Sequence, residues 1–261
     1  MTRKLTYSII WVALLAPVSL WSQFTLQPKQ VDGEPKGIIY DKEWAVDFRL
    51  HTAGYGLGFS WGSIDAFDKT QFYSISLDFL RHPKEFRQNI RPSIYNPLNR
   101  PFVFGKQNSF FSLKGGIGKK VFLSEKAKRR GLAIGYTYQG GISLGMLKPY
   151  YLEVINYDNI PIDPIMDIKY TEETAERFLD INEIEGSSGF FKGLGETSFL
   201  PGVYGRASVH FAWGAYDEYV KALDIGIMLE LYPREVPIML IADNDPYFIN
   251  LYLNLQLGKR N

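Results

Sequence analysis

The chain has no cysteine, which excludes disulfides, thiolate metal sites and lipidation at a cysteine. It has almost no net charge, +1 from 29 Lys and Arg against 28 Asp and Glu. A nucleic-acid partner would call for a basic excess, so none is expected. Beyond the first residues no run approaches the ~18 uninterrupted apolar residues of a transmembrane helix. No metal-ligand spacing, phosphate-binding glycine loop or nucleophile elbow is present, so neither a metal nor a small-molecule cofactor is expected. At 261 residues there is room for one large or two small domains.

What is present begins with an export signal. Arg3 and Lys4 open the chain, Ile9 to Ala16 form a short apolar run, and Pro17 to Ser22 end in small residues. That run is too short to span a bilayer and predicts a signal peptide over 1–22, cleaved between Ser22 and Gln23. A periplasmic segment over 23–42 and a barrel over 43–261 follow in this reading.

The barrel rests on alternation. From Glu43 to His51, Trp44, Val46, Phe48 and Leu50 share one parity, while Glu43, Asp47, Arg49 and His51 share the other. Successive strand side chains point to opposite faces, so such a strand has one greasy and one charged face. The pattern returns with Tyr55–Trp61, Tyr73–Phe79, Phe111–Ile117, Leu132–Met146, Val203–Trp213, Leu223–Leu231 and Tyr247–Leu257 as the apolar parities. Eight strands result, an even number, most of them reaching the ~9–11 residues that a tilted membrane strand requires. Aromatics at 15% suit the belts of a membrane interface. The expected fold is an all-β, antiparallel, up-and-down eight-stranded transmembrane barrel.

In that arrangement the apolar parity meets lipid and the other lines the interior. The interior then holds a polar network of Glu43, Asp47, Arg49, His51, Asp78, Lys114, Arg206, His210, Asp224 and Glu230. An eight-stranded barrel is only wide enough for its own side chains, so the expectation is a plugged barrel. Glycines on the second and fifth strands leave space for the long groups. A soluble lipocalin-like binding barrel would invert the polarity, and parity alone does not distinguish the two.

Loop lengths alternate. Short turns fall near 66–70, 123–130 and 214–219, and long external loops at about 82–108 and 149–198, as in outer-membrane barrels. The first external turn, near Ala53, is unusually tight. The loop at 82–108 is basic and proline-rich, with Lys84, Arg87, Arg91, Arg100 and Lys106 against Glu85. The second is acidic. There Thr171-Glu172-Glu173 reads as a helix start, Glu176 lies in the first turn, Ala175, Phe178, Leu179 and Asn182 share a face, and Gly186 ends the helix. Phe190 and Phe191 follow as exposed aromatics. Arg87, Arg91, Arg100, Glu172, Glu173, Glu176, Phe178, Phe190 and Phe191 are the expected partner-binding positions, with charge assisting encounter; two merely solvated loops are the plainer alternative.

An enzyme is the other class to weigh. Small outer-membrane barrels include lipid A acylases and deacylases, and Ser208, His210 and Asp224 offer a hydroxyl, an imidazole and an acid. All three fall on the inward parity, out of reach of a lipid, and a His among charges is more often a network member.

Three stretches, Leu147-Lys148-Pro149-Tyr150-Tyr151-Leu152-Glu153, Gly115-Gly116-Ile117-Gly118-Lys119-Lys120 and Phe248 through Lys259, resemble a small exported eight-stranded outer-membrane barrel family of Bacteroidota. The resemblance implies the barrel fold and, because such barrels are often accessory subunits, a place in a larger outer-membrane machine for protein assembly, secretion or nutrient import. It carries no catalytic motif. The chain departs from the usual aromatic barrel ending, closing on Gly258-Lys259-Arg260-Asn261. The combined expectation is a non-enzymatic outer-membrane barrel in contact with outer-membrane lipid, docking other outer-membrane or surface proteins through its external loops.

Overall fold

The computed structural model describes residues 40–66, 68–88, 100–123, 132–157, 164–213 and 218–261. The expected signal peptide, most of the 23–42 segment and Arg91 lie outside the described residues. In chain order the strands are β1 (Lys42–His51), β2 (Gly54–Ala66), β3 (Lys69–Leu80), β4 (Arg87–Gln88), β5 (Phe102–Val103), β6 (Asn108–Phe122), β7 (Ala133–Pro149), β8 (Tyr151–Ile155), β9 (Ile165–Lys169), β10 (Ile184–Ser187), β11 (Ser198–Ala212), β12 (Tyr219–Leu231) and β13 (Tyr247–Arg260).

Eight of them, β1, β2, β3, β6, β7, β11, β12 and β13, form a closed barrel. Every pair is antiparallel, and β1 closes the ring on β13 with Asp47 opposite Gln256 and Leu50 opposite Leu253. The remaining strands belong to the long connections. No helix among the described residues is long and apolar enough to cross a membrane.

Side-chain alternation resolves the polarity. The outward residues are large, apolar and exposed, among them Phe48, Leu57, Ile75, Ile117, Ile142, Ile227, Leu251 and Leu253. The inward ones are polar and buried. This overturns the lipocalin-like alternative, since a soluble barrel would hide the first set and wet the second. Aromatics gather at both ends of the wall. Trp44, Phe59, Trp61 and Tyr73 stack in sequence across β1, β2 and β3 near the short-turn end, and Tyr55, Phe79 and Phe111 adjoin one another near the long-loop end. Two aromatic girdles with an aliphatic band between them are what a lipid-facing wall requires. The chain is a transmembrane barrel.

The expected strands are present and longer than their alternation suggested. β6 has 15 residues and β7 has 17, so both project beyond the lipid-facing band. The tight turn after His51 is also present, with β2 starting at Gly54. A charge placed on the wall tests the membrane assignment. Leu253→Arg is expected to cost about 2–4 kcal/mol near the bilayer midplane, read as a lowered midpoint in denaturant titration of the protein in lipid vesicles; an unchanged midpoint would contradict the assignment.

Candidate functional site

Two assemblies of polar side chains stand out: one inside the barrel, the other above its long-loop end. Inside, Glu43, Asp47, Asp78, Asp224 and Glu230 are buried beside Arg49, Lys114, Lys120, Arg206 and Arg260. The two signs are equal in number, and the pairs run the length of the lumen. Arg49 donates to both carboxylate oxygens of Asp78 at 3.0 Å. Lys114 bonds the same carboxylate and reaches Glu230 at 2.7 Å. Ser112 and Tyr232 donate to Glu230 at 2.8 and 3.0 Å. Further along, Asn254 donates to Asp47 at 3.0 Å and to Asp224 at 3.1 Å, and Gln256 donates to Asp47 at 2.8 Å. His210 Nδ1 lies 2.6 Å from Asp224. Near the short-turn end Glu43 takes Lys120 at 2.6 Å and Arg260 at 2.8 Å.

The backbone makes room for these groups. A methyl at Gly56 would stand 1.6 Å from Asp78 Oδ1, and one at Gly118 would stand 2.5 Å from the Phe72 ring. The structure therefore places all ten expected lumen residues inside, together with Lys120 and Arg260. Those two lie past the ends that alternation suggested for their strands. The signal was available, because Lys120 continues the parity of Lys114 and Arg260 that of Gln256.

The lumen is closed at the long-loop end by an apolar layer of Leu80, Phe110, Leu147, Leu200, Tyr232 and Met239. Above it the connections fold together. β8 pairs with β9 and β10, and β4 pairs with β5. The 81–107 connection is tied to the 232–246 connection by Gln107 N–H to Ile238 O and Leu240 N–H to Gly105 O, both 2.8 Å. It is tied to the 150–197 connection by Ser187 Oγ–H to Pro101 O at 2.8 Å. Phe102, Leu152, Val154, Ile168, Phe178 and Ile184 give this cap its own core.

That core corrects part of the expectation for the acidic loop. Phe178 is fully buried, so it supports the cap from within and offers nothing to a partner. The expected helix shrinks to one turn, Ala175–Phe178, whose N-cap position is Thr174 without a side-chain cap bond. Thr171 instead bonds the Thr174 hydroxyl, and Gly186 lies in β10 rather than ending a helix. Pairing with β8 outcompetes a short helix that would have had little of its own to bury. Glu172, Glu173, Glu176, Phe190, Phe191, Arg87 and Arg100 are all exposed.

Among the described residues no ion pair joins the two loops. Among the described residues the acidic loop satisfies its own cations, Lys169 with Glu196, Arg177 with Glu183 and Lys192 with Asp167. In the basic loop Lys106 pairs with Glu85 at 2.7 Å. Burial holds the Lys106 ammonium below the ordinary lysine value, Glu85 opposes that, and the like charges of Arg87 and Arg81 add to it.

The possible catalytic set is assembled only in part. His210 and Asp224 touch, and Ser208 shares their face, but all are buried. The His210 ring packs against Phe122, 5.4 Å between centroids, at the short-turn end of β6. Among the described residues no cluster of His, Cys, Asp and Glu is placed to hold a metal ion.

No protein-family model matches the chain, and no curated protein matches it. Among solved structures it is similar to Ail, the attachment invasion locus protein of Yersinia pestis, in complex with the heparin analogue sucrose octasulfate. The identity is 9% and the TM-score 0.36, covering 85% of this chain and 96% of that one. Neisserial surface protein A is a second, at 10% identity and TM-score 0.30, covering 85% and 95%.

Because Asp78 compensates two cations at once, Asp78→Asn leaves buried positive charge without its partner. The expected loss is about 3–5 kcal/mol of stability, measured as a drop in the temperature at which the barrel loses its heat-modifiable mobility on gels; a change within error would show that the network is not what holds the lumen.

Proposed function

We propose that the chain is an integral outer-membrane protein with its long-loop end outward, a non-enzymatic subunit that docks other proteins of an outer-membrane assembly, secretion or import complex. Lipid-facing β-barrels with alternating short and long connections belong to outer membranes. The observation that carries the docking role is the cap. Three connections spend their length on a folded unit with its own core, which fixes a surface in place; loops that merely joined strands would need no such core. Leu179 and Ile181, 38% and 49% exposed, lie in the same short segment as the exposed Glu172, Glu173 and Glu176. An apolar centre with a charged rim is the anatomy of a protein interface, and the acids would steer a basic partner.

The competing reading, an enzyme acting on lipid A, has the His210–Asp224 contact in its favour. It fails on access. Both groups sit inside a filled lumen at the end away from the cap, and a lipid headgroup in the outer leaflet would be on the other side of the apolar layer.

Two measurements test this reading. Glu172→Lys with Glu173→Lys and Ile181→Ser keeps the cap core intact. It should abolish stoichiometric co-purification of outer-membrane proteins from native membranes in mild detergent; retention of every partner would contradict the docking face. Ser208→Ala should leave the lipid A profile unaltered at equal folded protein. A changed acylation pattern would establish the enzyme instead.

A further inference from the structure

Between the cap and the barrel wall lies a cleft of about 740 Å³ whose two halves differ in chemistry. Its upper half is cationic, with Arg81, Arg87, Arg100, Lys106 and Lys148 on its walls and Glu85 as the one acid. Glu85 is already committed to Lys106. Lys148 bonds the carbonyls of Phe190 and Lys192 at 2.7 and 3.2 Å, which anchors the Phe190 turn and adds a charge that no carboxylate among the described residues meets. Arg81, Arg87 and Arg100 are exposed and make no ion pair with the described residues. The lower half is the membrane wall itself. Tyr55, Phe79 and Phe111 line it, continuous with Phe190 and Phe191 above through ring contacts of 5.1 to 6.2 Å.

We infer that this cleft binds an anionic lipid, with a phosphate-bearing headgroup among the arginines and its acyl chains along Tyr55, Phe79 and Phe111. The aromatics decide the class of ligand. They belong to the girdle at the long-loop end, so an occupant that fills the cleft has one end in contact with hydrocarbon. An acidic protein or polysaccharide would use the cationic half and leave the ring ladder unfilled. Guanidinium groups suit phosphate because their forked donors match two of its oxygens, and basic side chains at that depth attract anionic headgroups. This site goes beyond the docking role, which uses the acidic face of the cap, so each can fail without the other.

Purified full-length protein in a non-ionic detergent is titrated with dioctanoyl phosphatidylglycerol, dioctanoyl phosphatidylcholine, sodium phosphate and poly-glutamate, with bound species counted by native mass spectrometry. The phosphatidylglycerol should bind well above the choline lipid and lose affinity with added salt. Arg87→Gln with Arg100→Gln should weaken it about thirtyfold, from the ordinary strength of two basic groups at a membrane surface, with the choline lipid unaffected. Both side chains are exposed and outside the core, and equal heat-modifiable mobility will establish that the variant is folded. Equal binding of the two lipids, or indifference to the double substitution, would overturn the site. Phosphate binding as tightly as the lipid would reassign it to a free anion, and poly-glutamate doing so to an acidic protein.

Discussion

Everything in this molecule follows from placing a hydrocarbon solvent outside an interior too narrow for bulk water. An eight-stranded wall encloses about the volume of its own inward side chains. If those side chains are charged, each must find a counter-ion or a hydrogen-bonding partner within the lumen, because desolvation of an unpaired ion costs more than any single contact returns. The barrel meets this condition with acids and bases in equal number and with Asn254 and Gln256 bridging carboxylates that lack a direct cation. β2 contributes in the opposite way. Its inward positions are mostly glycine, and the space they leave is taken by Asp78, Ser76 and Phe72 from β3 and by Asp47 and His51 from β1.

That interior also shapes the exterior. The lumen is filled by its own buried side chains and covered by Leu80, Phe110 and Met239. The connections at the long-loop end are then free to do something else. They knit into a cap whose own core is separate from the layer beneath. The cap exposes Glu172, Glu173 and Glu176, and the cleft under its rim is basic and aromatic. The charge difference that separates the two loops along the chain thus becomes a difference between two surfaces in space.

How far the sequence foretold this depends on the range of the interactions involved. Strand identity and facing were readable because the period of two is local and lipid enforces it over whole strands. The lumen residues are readable for the same reason, and Lys120 and Arg260 escape alternation only because the apolar parity fades before their strands end. The cap was not readable. Phe178 reads as a surface residue on a short helix, and its burial depends on β8 and β9 folding back within its own connection and on Phe102 from another. The cleft is half readable: Arg87, Arg100, Phe190 and Phe191 stand out in the sequence as binding positions, but Lys148 and the girdle rings join them only in the folded barrel.

The seam between β1 and β13 sets an order on assembly. The carboxylates of Glu43 and Asp47 are offered by the first strand of the barrel, while Asn254, Gln256 and Arg260, which satisfy them, arrive on the last. Until the ring closes, Asp47 lacks both amides that bond it in the finished barrel, and Glu43 lacks one of the two cations that meet it. Contacts of such sequence separation form late, so an unfinished sheet would enter the bilayer interior with those ions exposed. Closure and insertion are thereby tied into one event, and whatever guides this chain into the membrane must shelter both edges until they meet.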